Sequence, residues 1–215
     1  MKSIRLIQSS LGLAAMCGAA SASIASFQSD SASIVGSTGV SFSGSSSWTY
    51  SGGSNGLLQI TLTNTTGSDV GGMLTGFAFD LGTFEGSAVL QSASVLNFVG
   101  ITNVSAEPFG KGYDAGAAVG ANWLGGGRPQ GGLSSGQTGV FTFAVSSPSA
   151  SQFSASTPFE GPRDFDFVVR FRGLNDGGSS KVVGTALTAV PAPGGAALMG
   201  AAMLFASGRR REKMI

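Results

Sequence analysis

Asp164 and Asp166 stand two residues apart in the stretch DFDFVVRFRG, the closest-spaced pair of carboxylates in the chain. On a strand their side chains would point the same way, about 7 Å apart. Glycoside hydrolysis needs two carboxylates at a set separation. A calcium site needs several oxygen ligands from one neighbourhood. No Asp-x-Asp-x-Asp-Gly loop is present, and nothing marks a hydrolytic pair among the ten carboxylates between Ser23 and Thr188. A solvated strand face, with Arg170 and Arg172 as counter-charges, is the preferred reading.

Other chemistry is restricted by residue type. The chain has no histidine, which removes Ser-His-Asp and Cys-His catalysis and the usual zinc sites. Its one cysteine, Cys17, lies near the N-terminus behind Met16, where an acylation site would have a small residue. The stretch GKGYDA, Gly110 to Ala115, matches a loose dinucleotide-binding pattern without the βαβ setting that gives the pattern its mechanism. LGGGRPQGG lacks the Gly-Lys-Ser/Thr ending of a phosphate cradle. No catalytic residue, metal ligand or cofactor is therefore assigned, and the chain is read as non-enzymatic.

Binding chemistry rests on a few side chains. Trp48 and Tyr50 alternate in SSSWTYSG, and exposed aromatics on a sheet stack on sugars. Trp123 and Arg128, in NWLGGGRPQGG, form a second candidate ligand surface. The competing reading packs Trp48 against an opposite sheet and uses Trp123 to anchor its loop. Asn64-Thr65-Thr66 and Asn103-Val104-Ser105 are formal glycosylation sequons.

The elements that must position these residues are short strands. In LLQITLTN, Leu58, Ile60 and Leu62 share one face by period-two alternation. Phe77, Phe79 and Leu81 do so in GFAFDL, and Phe141, Phe143 and Val145 in GVFTFAV. In DFDFVVRFRG the apolar face holds Phe165, Phe167, Val169 and Phe171, opposite Asp164, Asp166, Arg170 and Arg172. ASVLNFVGI and KVVGTALT are further strands, with turn signals such as Asn175-Asp176-Gly177-Gly178 between elements. No helical periodicity intervenes. The pattern predicts an all-β fold, a single antiparallel β-sandwich over residues 23–188. Ser29 to Ser54 reads as an edge strand or a loose arm, and Glu107 to Ser135 as a long glycine-rich loop.

Ten acidic and six basic residues leave this body at about −4, which argues against a nucleic-acid partner. The ends differ in character. Residues 1–22 read as a signal peptide: Lys2 and Arg5 are followed by an apolar core from Leu11 to Ala20, and Ala20-Ser21-Ala22 is an A-x-A cleavage site. At the other end, residues 189–215 hold Val190-Pro191-Ala192-Pro193-Gly194, an apolar run from Gly194 to Gly208, and Arg209, Arg210 and Arg211. The run of fifteen residues would span about 22 Å as a helix, short of the ~30 Å hydrocarbon core. The arginines would hold its end on the cytoplasmic side as a stop-transfer signal.

These three tail parts, in this order behind a signal peptide, resemble the PEP-CTERM sorting signal of bacteria that carry exosortase. Ala192 stands where the family usually has glutamate, which makes this a VPAPG form of the motif. The resemblance implies a short transmembrane sorting helix and recognition and cleavage by an exosortase, a membrane cysteine protease. It also implies export to the cell surface or extracellular matrix in bacteria that make exopolysaccharide. NWLGGGRPQGG and VVRFRGLNDGGSSKVVG resemble, more loosely, the ectodomains that accompany such tails. The expected role is a structural or adhesive surface protein. The alternative is a carbohydrate-binding module of the exopolysaccharide matrix.

Overall fold

The computed structural model describes residues 23–121, 123–124 and 129–187. Residues 1–22 and 188–215, with both targeting expectations, and Arg128 lie outside the described residues.

Alternating side chains set the pairing. β3 (Asn55–Asn64) buries Leu58, Ile60 and Leu62 and pairs antiparallel on one side with β2 (Phe42–Gly52) and on the other with β10 (Thr138–Ser146). β10 turns Phe141, Phe143 and Val145 inward and carries β5 (Ser87–Ala93) at its far side. β2 pairs with β1 (Ser23–Gly36), which pairs with β12 (Ser179–Ala186). From there the ladder continues through β11 (Phe167–Leu174), β4 (Gly71–Phe79) and β9 (Ala115–Val119) to β6 (Phe98–Ile101). The result is a ten-stranded sheet in the order β5-β10-β3-β2-β1-β12-β11-β4-β9-β6, every pairing antiparallel.

The two end strands, β5 and β6, are consecutive in the chain and joined only by residues 94–97. The sheet must therefore curl until its ends approach. At that seam a Cβ on Gly100 of β6 would lie 3.0 Å from the Leu90 Cβ of β5, so glycine lets the ends close up. The architecture is all-β with one near-closed antiparallel sheet.

Phenylalanine fills the interior. Phe77 of β4 meets Phe141 and Phe143 of β10 at ring-centroid distances of 4.8 and 6.0 Å, across the core and not along the ladder. Phe167 touches the rings of Phe27, Phe42, Phe77, Phe79 and Phe159. Each such pair adds about 0.5–1.5 kcal/mol beyond its buried area.

A second apolar cluster lies on the outer side of the sheet. Ala78, Val168 and Val183 are buried there beneath Val104, Ala106, Phe109, Tyr113 and Trp123. The cover includes a small hairpin, β7 (Val104–Ser105) paired with β8 (Lys111–Tyr113).

Three expectations are corrected. Ser29 to Ser54 is neither an edge nor a loose arm: β1 and β2 are interior strands of the sheet. Inward positions that include Gly44 and Ser46 weaken their alternation in the sequence, while Ser46 is buried by donating its hydroxyl to the Ala155 carbonyl at 2.5 Å. The Glu107–Ser135 stretch is not a plain loop, because it holds β8 and β9. In DFDFVVRFRG the strand begins only at Phe167. Phe165 therefore leaves the core face and packs on Phe109 in the outer cluster, ring centroids 5.2 Å apart.

Candidate functional site

The sequence-predicted ligand residues do not assemble into an aromatic platform. Trp48 is buried, its ring 5.2 Å from that of Phe153. It crosses Gly56 of the neighbouring strand, where a Cβ would fall 2.1 Å from the indole. Tyr50 is exposed, and its hydroxyl donates to the Gly53 carbonyl at 3.0 Å, closing the β2–β3 hairpin. Trp123 is buried in the outer cluster, where its carbonyl accepts a hydrogen bond from Arg170 Nη1. Trp48 and Trp123 are thus packing residues, since neither presents a ring face to a sugar. Of the two sequons, Asn64 is fully buried and donates to the Gly72 and Leu133 carbonyls, whereas Asn103 is exposed.

Asp164 and Asp166 do not share a solvated strand face. Asp166 is buried at the turn before β11 and accepts from the backbone N–H groups of Gly161 at 2.7 Å and Arg163 at 3.3 Å. Burial raises its carboxyl above the ordinary range. Arg170 and Arg172 are both partly covered, and Arg170 reaches the outer cluster at Trp123.

The structure gathers a different polar group. Asp80 follows β4, Asp114 precedes β9, and Arg163 arrives from the turn that Asp166 braces. Arg163 Nε lies 2.8 Å from Asp80 Oδ2. Asp80 Oδ1 accepts from the Asp114 N–H at 3.3 Å, and Asp114 Oδ2 accepts from the Leu81 N–H at 2.8 Å. Arg163 also donates to the Lys111 and Gly112 carbonyls and sits 5.2 Å from the Tyr113 ring centroid. The Tyr113 hydroxyl lies 2.5 Å from the Phe165 carbonyl, and burial pushes its pKa up. A shallow opening beside Asp80 is lined by Gly82, Thr83, Phe84, Glu85 and Pro162. Chemically this group is a brace: Asp80 accepts an N–H at Oδ1 and pairs ionically with Arg163 at Oδ2, and both oxygens of Asp166 accept backbone N–H groups. Among the described residues no group of three His, Cys, Asp or Glu side chains is placed to hold a metal ion.

The outer side of β1, β2, β3 and β10 is different in kind. These four strands and β5 contain one charged residue, Asp30. Their register lines up outward side chains in rows. Gln28, Ser43, Thr63 and Thr138 make one row. Ser26, Ser45, Thr61 and Val140 make the next. Ile24, Ser47, Gln59 and Thr142 make the third. Neighbours within a row are about 4.8 Å apart and rows about 7 Å apart. Ten of these twelve positions carry a hydroxyl or an amide, and none of the twelve is buried. Thr63 and Thr138 share a hydroxyl hydrogen bond of 2.8 Å. The strand charges Lys111, Arg170, Arg172 and Lys181 belong to β8, β11 and β12. The sequence reading missed this neutral face because it depends on register between four strands; the charge-free stretch from Ser31 to Ser68 is its one local signal.

No protein-family model, curated protein or solved structure matches the chain. Among the described residues no helix is long and apolar enough to cross a membrane.

Proposed function

We propose that the chain is an exported bacterial surface or extracellular-matrix protein with a structural or adhesive body. Its tail is read as an exosortase-processed sorting signal, and its near-closed sheet as flattened into two facing halves in the manner of a β-sandwich. The observation that carries the adhesive reading is the open hydroxyl face of β1, β2, β3 and β10, whose strands carry Asp30 as their one charge. Adhesion by many weak neutral contacts suits such a surface, while the carboxylates around Arg163 already serve the fold. The body therefore acts by binding and not by turnover.

The carbohydrate-binding alternative is favoured by the same face and not by Trp48 or Trp123, which are buried. Fractionation of an exosortase-bearing host tests the reading. The full chain is expected at the surface or in the matrix, and a chain ending before Val190 in the medium. Retention of both forms inside the cell would overturn it.

A further inference from the structure

The hydroxyl rows have a chemistry that selects among ligands. We propose that this face binds a neutral, extended polysaccharide laid across β1, β2, β3 and β10. The inference rests on the adhesive reading of the body and names its ligand class and surface.

Serine, threonine and glutamine side chains each offer both donors and acceptors, as sugar hydroxyls do. An anionic polymer finds no cation on these strands, and the body's balance of about −4 repels it. A protein partner fits the rows less well. Specific protein interfaces are centred on aromatic and large apolar side chains and are depleted in serine, whereas these rows centre on Ser45 and Thr61, and the exposed Leu57 and Val89 stand in the next row beyond them. Six of the row residues, Ser26, Gln28, Ser43, Ser45, Thr61 and Thr63, line a shallow trough with Leu187 at its margin. An open trough suits a long chain more than an enclosed small molecule. Without a stacking aromatic each contact is weak, so affinity grows with the number of sugars engaged.

The test is native gel electrophoresis of the full chain in mild detergent. Gels contain hydroxyethyl cellulose, laminarin or alginate, and mobility is read relative to polymer-free gels. A neutral glucan is expected to retard the protein and alginate to leave it unaffected. Ser45→Lys and Thr61→Lys place a charge in mid-face and are expected to abolish retardation. Thr102→Lys, an exposed change on the hairpin side, is expected to retain it. Unchanged circular dichroism separates loss of binding from loss of fold.

Failure of both neutral glucans to retard the wild type overturns the proposal, as does retardation that survives Ser45→Lys and Thr61→Lys. Light scattering that shows a dimer dissolved by those substitutions, with no glucan effect, also overturns it and assigns the face to a second copy. Tail-dependent localisation is measured separately. Failure in the gels with correct localisation therefore rejects the ligand and leaves the sorting assignment standing.

Discussion

Arg163 Nε lies 2.8 Å from Asp80 Oδ2, and Asp80 is only 4% exposed. One cation thus joins the end of β4 to the turn that leads into β11, and its guanidinium reaches on to the hairpin carbonyls of Lys111 and Gly112. The brace fixes the cover of the outer cluster to the sheet.

The brace predicts a pH dependence. Burial pushes the Asp80 carboxyl from 3.8 up to about 6, against the pull of Arg163, with Asp114 adding to the rise. A carboxyl raised on folding contributes stability that is present below its unfolded value and lost as pH climbs through its folded value. The window is therefore about pH 4 to 6. The change is at most about 3 kcal/mol, from roughly two units at 1.36 kcal/mol each. Asp80→Asn removes this titration and leaves a pH-independent cost for Arg163. In urea unfolding, the stability of wild type relative to Asp80→Asn should fall as pH rises from 4 to 6. A flat difference would show that Asp80 does not titrate there.

Phe167 and Phe165 make a matched pair for the core assignment. Phe167→Ala removes a ring with five aromatic neighbours and should cost about 3–5 kcal/mol. Phe165→Ala loosens the hairpin cover through Phe109 and should cost less than half of that. Hydrogen exchange should then quicken around Tyr113 and leave β3 and β10 unchanged. Equal losses for the two variants would return Phe165 to the main core.

Gly56 tests the burial of Trp48. A methyl group there meets the indole at 2.1 Å, and the ring must move out. Gly56→Ala should cost about 1–3 kcal/mol and shift tryptophan emission to the red. Unchanged emission and stability would mean that Trp48 does not lie over Gly56.

The parts legible in the sequence were those with strong alternation. Leu58, Ile60 and Leu62, and likewise Phe141, Phe143 and Val145, are legible as inward because large apolar side chains recur at every second position with polar or smaller ones between them. β1 and β2 were hidden because small or polar inward residues, Gly44 and Ser46 among them, blur the period. Phe165 misled because alternation carries no mark of where a strand starts; Asp166 and the turn it braces fix that point. The Asp80–Arg163 pair and the hydroxyl rows join residues far apart in the chain. They exist only once the strand order β3-β2-β1-β12-β11-β4 is set, and no local pattern encodes that order.

The tail predicts a processing event. Its apolar run of fifteen residues from Gly194 to Gly208 is shorter than the roughly 20 residues a spanning helix needs. Glycine and alanine supply much of it, so it would hold the bilayer weakly. Arg209, Arg210 and Arg211 would still arrest export, leaving Val190 to Gly194 just outside the membrane. On the proposed sorting reading, a chain arrested there by a weak anchor would be a substrate for cleavage at the proline motif. In a host with a matching exosortase, mass spectrometry of the released protein should find its C-terminus close to Pro193. Pro191→Ala with Pro193→Ala should leave uncleaved chain in the membrane fraction. Arg209, Arg210 and Arg211 replaced together by alanine should let the uncleaved tail pass into the medium. If the mature wild-type protein instead stays in the membrane fraction with residues through Ile215, the motif is not a processing site and the segment is an ordinary anchor.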